Sequence, residues 1–178
     1  MEINKLAIVF ESYKQKNHIL TNIILPYKSF MEGFFSVEIR EKNKLKGYNI
    51  EFINGQVFDF ASKEFISELY YNKYAIKKDT LVEISKSLSY YTEIKNKIII
   101  LEVGSIFISD PVYSSNFIKL LSSDKKIIIF TPKQKEIIST IRKLDDLFLC
   151  ELSKKTLEVV KKVVDKWLGE TISKIEII

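Results

Sequence analysis

Lys16 lies just past the apolar run "LAIVF" at 6–10, at a strand-to-helix junction of the kind where backbone N–H groups can cradle phosphate. The loop that does this reads G-x-x-x-x-G-K-[ST], and here the pattern falls on "FESYKQKN" at 10–17. Only Lys16 agrees, because Phe10 and Gln15 stand at the glycine positions and Asn17 at the hydroxyl. Glycine matters there because the loop visits positive φ and because a side chain would stand between the amides and the phosphate oxygens. Losing three charge-assisted hydrogen bonds of about 1.5 to 3 kcal/mol each costs more than about 4 kcal/mol, on the order of a thousandfold in affinity. Lys16 alone does not restore that. It reads either as a solvated lysine at a helix start or as a surviving contact to an anion.

Other side chains offer less chemistry. Arg40 has Glu38 and Glu41 for neighbours, so an ordinary surface ion pair is the plain reading. His18, the only histidine, is expected in the first turn of the helix and has no cysteine or carboxylate at ligand spacing, so no metal site is expected. Ser12 and Ser36 lack a nearby base for nucleophilic work. Cys150, alone in "LFLC", cannot form an internal disulfide and reads as a small buried apolar group. Tyr70, Tyr71, Tyr74, Tyr90 and Tyr91 read as core and rim packing rather than a stacking platform.

The elements that must position these residues alternate between two periods. "LAIVF", "IIILEV" at 98–103, "IIIF" at 127–130 and "LFLCEL" at 147–152 are short unbroken apolar runs, which predict fully buried parallel strands. Between them lie helical patterns. Thr80 and Glu83 predict a capping box ahead of Leu81, Ile84, Leu88 and Tyr91. Pro132 is expected at the first position of a helix that buries Ile137, Ile138, Ile141 and Leu144. Ser153 is expected to cap a last helix whose stripe is Leu157, Val160, Val163, Val164, Trp167 and Leu168. "GFFSVEIR" at 33–40, "GYNIEFI" at 47–53 and "QVFDFAS" at 56–62 predict an antiparallel meander, with Asn54-Gly55 as a two-residue turn. The following "KEFISELYYNKYAIKK" reads as part helix and part loop. Strands alternating with helices predict an α/β fold, a doubly wound, mostly parallel sheet with helices on both faces and this meander inserted.

The 178 residues, 46% of them hydrophobic, suit one domain over 1–178. The net charge of +5 is nearly all lysine, which predicts solvated helix faces rather than a nucleic-acid footprint. No apolar stretch approaches the roughly 18 residues that span a bilayer, and no signal peptide opens the chain, so a cytoplasmic location away from membranes is expected.

"GFFSVEIR", "KGYNIEF", "IIILEVGSIF", "KKIIIFTP" and "IRKLDDLFLCELSKKTLEVV" occur in an order and spacing that resemble the small nucleoside-triphosphatase family of P-loop proteins found in thermophilic bacteria and archaea. The resemblance covers roughly 3–168 and leaves "GETISKIEII" outside. It implies a P-loop nucleoside-triphosphatase fold whose phosphate loop is 10–17 and whose "DEIGKME" strand is "LEVGSIF". Glu102 then matches the glutamate that acts on the attacking water, Leu101 replaces the aspartate that helps hold Mg²⁺, and Asn17 replaces the hydroxyl. Gly33, Arg40, Gly47 and Gly104 keep family positions. Both phosphate and metal machinery are therefore expected to be degenerate, with Lys16, Asn17 and Arg40 as vestigial phosphate contacts, no metal and no cofactor. The expected role is binding or regulation without catalysis, with a protein partner at the face that once met nucleotide. The alternative is an active triphosphatase using Mg²⁺ with ATP or GTP, in which Lys16, Arg40 and Lys133 supply charge and Glu102 is catalytic. Nucleic-acid binding through lysine-rich faces is the weakest alternative, and the oligomeric state is not legible.

Overall fold

The computed structural model describes residues 2–176. The four apolar runs form strands β1 (Lys5–Phe10), β7 (Ile98–Glu102), β8 (Lys126–Pro132) and β9 (Leu147–Leu152). The meander supplies β2 (Met31–Glu41), β3 (Lys44–Phe52) and β4 (Val57–Ser62), followed by two short strands, β5 (Tyr70–Tyr71) and β6 (Tyr74–Ile76). One sheet runs in the order β5-β6-β4-β3-β2-β7-β8-β1-β9. From β2 through β9 its neighbours are parallel, and from β2 to β5 they are antiparallel.

Helices cover both faces. On one lie α1 (Tyr13–Ile19), the irregular turns that continue it to Phe30, and α6 (Leu157–Glu176); on the other lie α2 (Lys78–Glu93), the single turn α3 (Ser105–Ile108), α4 (Pro111–Leu121) and α5 (Lys135–Ile141). Strand alternation divides the core accordingly. Leu6, Ile8, Ile98, Ile100, Ile128 and Phe130 meet α1 and α6, while Ala7, Ile99, Leu101, Ile127 and Ile129 meet α2 and α4. The α2 stripe is borne out, with Leu81, Ile84, Leu88 and Tyr91 buried; on α6 Val160, Val164, Trp167 and Leu168 are buried and Leu157 and Val163 partly so; on α5 only Ile137 and Ile141 are buried, and Leu144 lies beyond its end.

The expected helix starts are corrected. Helix α2 begins at Lys78, and Thr80 is inside it, where its hydroxyl donates to the Asp59 carbonyl at 2.6 Å and ties the helix to β4. Pro132 ends β8, in register with Phe10, and α5 starts only at Lys135. Gln134 precedes that helix but spends its Oε1 on the amide and hydroxyl of Ser105, at 2.8 and 2.9 Å. Ser153 caps a turn one step ahead of α6, accepting from the Thr156 amide at 3.3 Å. The aromatic stretch 63–78, expected as part helix, carries instead the small β5–β6 hairpin at the sheet edge, and its strands use the β-favouring tyrosines. The turn after β3 holds three residues rather than two, since Phe52 bonds Gln56 across Ile53, Asn54 and Gly55, with Gly55 at φ +92°. His18 sits in the last turn of α1, exposed beside Asn22, and not in its first turn.

Candidate functional site

At the carboxyl end of β1 only Glu11 and Ser12 separate the strand from α1. Ser12 is the N-cap, its hydroxyl accepting from the Gln15 amide at 3.4 Å. A helix that begins at Tyr13 leaves only Glu11 and Ser12 as open backbone after β1, and in its first turn the Gln15 amide donates to the Ser12 hydroxyl and the Lys16 amide to the Ser12 carbonyl. Gln15, at the second glycine position, places its Oε1 in a buried spot with no hydrogen-bond partner. Lys16 is directed inward and is 0% exposed.

Its ammonium donates to Glu102 Oε2 at 2.7 Å and to the Ser36 carbonyl at 2.5 Å. The Tyr13 ring lies over it at 4.2 Å and the Phe10 ring at 5.6 Å, so aromatic faces close the remaining sides. Glu102, at the tip of β7, accepts two further bonds from Ser36, whose amide reaches Oε2 at 2.9 Å and whose hydroxyl reaches Oε1 at 2.5 Å. Tyr13 donates to Oε1 at 3.0 Å, so each carboxylate oxygen holds two partners. Tyr113, from α4, donates to the Glu102 carbonyl at 3.1 Å. Ser36 is within reach because β2 pairs with β7 only over Met31–Gly33 and then swings away. Glu102 fills the gap and satisfies the Ser36 amide that the ladder has released.

Electrostatics follow from burial. Burial pushes the Lys16 ammonium below its ordinary value, against the opposing pull of Glu102. Burial, then the adjacent carboxylate, drives the Tyr13 phenol far up, and the Tyr48 phenol is pushed to about 12 by burial and by Tyr74. Tyr13 and Tyr48 are therefore neutral hydroxyls at physiological pH.

Lys16 is thus not solvated, which corrects the plain reading of it, and its ammonium is paired with Glu102. Glu102, flagged as the one catalytic candidate, has Lys16 as its cation, not Arg40. Arg40 donates to Glu38 at 2.8 Å and to the Asn43 carbonyl at 3.2 Å, as its neighbours predict. Arg40 and Asn17 line a separate open recess with Glu11, Lys14 and Glu38, beside the buried pair. Lys133 is on the far side of β1, between Glu11 and Glu151 at 3.8 and 3.7 Å.

Beyond Glu102, on the side away from Lys16, a cleft of about 320 Å³ opens between the tips of β7 and β8 and the meander. Tyr13, Tyr48, Tyr71 and Tyr74 line it, with Phe107 and Gln134 opposite. Tyr13 and Tyr48 are tilted against each other with centroids 5.5 Å apart, and Tyr48 meets Tyr74 edge to face at 5.6 Å.

The model of a family described as NTPase matches residues 16–164, well over half of the chain. The chain belongs to this NTPase family. The nucleoside-triphosphatase THEP1 of Thermotoga petrophila is 26% identical over 134 residues, covering 74% of this chain and 75% of that protein. Among solved structures, THEP1 from the hyperthermophile Aquifex aeolicus superposes with a TM-score of 0.74 at 19% identity, covering 90% of this chain and 96% of that one. A human cancer-related nucleoside triphosphatase gives 0.71 at 12% identity, covering 96% and 98%. These likenesses establish the expected α/β fold of the P-loop NTPases.

A magnesium ion, which an NTPase site implies, does not fit the residues of this family member. Leu101 is 0% exposed and packs in the layer of α2 and α4, on the opposite face from Lys16. Asn17 offers one neutral amide oxygen, Glu102 has both oxygens committed, and no group of three potential metal ligands occurs among the described residues. A hard cation wants several oxygens, preferably anionic. Sequence reasoning missed the residues of this site that surround the Lys16–Glu102 pair. Tyr13 bonds Glu102 and lies over Lys16, a role its place in the sequence does not reveal, and Ser36 was set aside for lacking a base. Tyr71 and Tyr74 were read as packing; they pack, and with Tyr48 they also wall a cleft.

Proposed function

We propose that this NTPase-family chain binds or regulates without hydrolysing nucleoside triphosphates, through the face at the carboxyl ends of β1, β7 and β8. The observation that supports the reading is the Lys16–Glu102 pair, 0% and 3% exposed, sealed beneath Tyr13. A lysine meant for phosphate and a carboxylate meant for water neutralise each other, and withdrawing either from its partner strands a buried charge. Helix α1 starts directly after Ser12, which takes the Gln15 amide on its hydroxyl and the Lys16 amide on its carbonyl, so those two donors are spent within the chain.

A second reading, an active triphosphatase with an atypical phosphate loop, draws support from Glu102 at the end of β7 and from the relative named a nucleoside-triphosphatase. In that reading Lys16 leaves Glu102 for phosphate, Arg40 and Asn17 approach from the open recess, and Glu102 orients water.

Thermal unfolding with millimolar Mg-ATP or Mg-GTP, paired with a phosphate-release assay, separates the two. A ligand at 100 times its dissociation constant adds about 2.7 kcal/mol, which a melting curve resolves. No shift and no release are expected; release that Glu102→Gln abolishes overturns the proposal in favour of the second reading. A protein partner on this face is part of the proposal, and it predicts that capture survives in the presence of excess nucleotide.

A further inference from the structure

We infer that this chain pairs with a second copy of itself across a two-fold axis beside Ile66, each copy seating its Ile66 in a recess of the other. The segment between β4 and β5 turns this isoleucine fully into solvent. Neighbours on both sides hold it there. The Lys77 ammonium lies over the Phe65 ring, 4.7 Å from its centroid, and the Ser67 hydroxyl donates to the Ile76 carbonyl at 2.6 Å while accepting from the Leu69 amide at 3.1 Å. The Ile76 amide in turn donates to the Leu69 carbonyl at 2.8 Å. An apolar side chain presented on pinned backbone has little freedom left to lose when it meets a partner.

The recess is next to it. About 460 Å³ opens between Ser67–Leu69 and the first turns of α2 and α4, with Leu69, Leu81 and Pro111 as apolar lining. Leu69, Tyr70 and Val112 are exposed around it, and so is Val82, one turn along α2 from the lining residue Lys78. Apolar side chains gathered in this way around a polar-rimmed recess mark a contact surface. Its occupant follows from placement and charge. In a two-fold contact each point of the patch meets the point across the axis, so a knob reaches only a hole as close to the axis as itself, and Ile66 adjoins the Ser67–Leu69 wall. Glu68 and Lys78 line the recess with opposite charges and neither is in an ion pair among the described residues, although the adjacent Lys77 pairs with Asp59 at 2.7 Å. Across the axis Glu68 of each copy meets Lys78 of the partner subunit. The recess shares no lining residue with the tyrosine-lined cleft, so the pairing stands whether or not nucleotide is hydrolysed.

Sedimentation velocity of the intact protein, with mass from light scattering, tests the pairing. A concentration-dependent dimer is expected. Ile66→Asp is expected to weaken it at least about tenfold, and Val159→Asp, at an exposed valine of α6 on the other side of the sheet, to leave it unchanged. Glu68→Lys and Lys78→Glu are each expected to weaken the dimer about tenfold, because each variant then opposes like charges at both contacts. An equimolar mixture of the two variants is expected to restore it, since opposite charges face each other again. Both positions are exposed, and a glutamate in the first turn of α2 favours the helix, so melting curves are expected to show each variant folded. A monomer at the highest soluble concentration, which leaves the recess to a different protein, overturns the inference. So does a dimer that withstands Ile66→Asp, a mixture that stays monomeric, or an open chain of copies in place of a closed pair.

Discussion

Lys16 and Glu102 are 86 positions apart in sequence and meet at 2.7 Å with almost no exposure, so each is the other's opposite charge in the interior. Removing one partner strands a charge in a medium that solvates it poorly. Lys16→Met is expected to cost about 3 to 5 kcal/mol in urea unfolding. The double change Lys16→Met with Glu102→Gln is expected to cost less than the sum of the two single changes, because it removes both charges together. An additive double mutant contradicts the pairing. Cys150 offers a second check at this scale. Burial raises its thiol to about 11, so at pH 8 little thiolate exists, and a disulfide reagent is expected to label it slowly until denaturant opens the chain. Both charged residues could be singled out in the sequence, Lys16 by its position after a strand and Glu102 by its resemblance to a catalytic glutamate. Their union was not legible. It depends on α1 starting at Tyr13, and local sequence leaves open whether 10–17 is a loop or a helix start.

Gly33 and Gly55 both take positive φ, but only Gly33 lies where two elements approach closely. A Cβ on Gly33 would lie 1.9 Å from the Ile100 carbonyl oxygen, at φ +133°, where β2 and β7 part. Gly33→Ala is expected to cost about 3 kcal/mol or more, combining backbone strain with a steric clash against main chain that cannot step aside. Gly55, at φ +92° in the β3–β4 turn, has nothing within 4 Å of such a Cβ, so Gly55→Ala is expected to cost only about 1 to 2 kcal/mol. Equal costs contradict the close approach at Gly33. The ends of the chain are joined by charge. Glu2 accepts from Lys126 at 2.6 Å and from Lys174 on α6 at 2.8 Å. These bonds, that from Lys126 first, lower its carboxyl from 4.5 to about 2. The folded state therefore holds that proton less tightly than the unfolded one. Its stabilisation is complete above about 4.5 and is lost as pH falls through about 2. Glu2→Gln is expected to flatten this part of the acid-stability profile, and added salt to weaken it, since the pair is exposed. Strands were the most legible elements, because unbroken β-branched runs have one economical location in an α/β fold. Helix starts were the least. Thr80, Pro132 and Gln134 carry the right chemistry for caps and spend it on Asp59, the end of β8 and Ser105 instead, tertiary uses that no local pattern discloses.

Across the whole molecule, the site forms where a parallel sheet hands over to an antiparallel one. β2 belongs to both, leaving β7 after Gly33 and continuing beside β3. The opening created there holds Glu102, Ser36 and the tyrosine-lined cleft together. Periodicity located the meander and the parallel strands separately, whereas the opening between them is a product of strand order and twist and has no sequence signature of its own. Among the described residues no helix is long and apolar enough to cross a membrane, in keeping with the hydropathy of the chain. The fold is that of the NTPases, and the proposal that its phosphate seat is filled turns on the location of one ammonium group. NMR of protein labelled with ¹⁵N-lysine, during titration with Mg-ATP, tests that location most directly. A slowly exchanging Lys16 ammonium signal that Glu102→Gln displaces and Mg-ATP leaves in place is the expected result. A Lys16 signal that moves saturably with Mg-ATP, as it would on leaving Glu102 for phosphate, would contradict it.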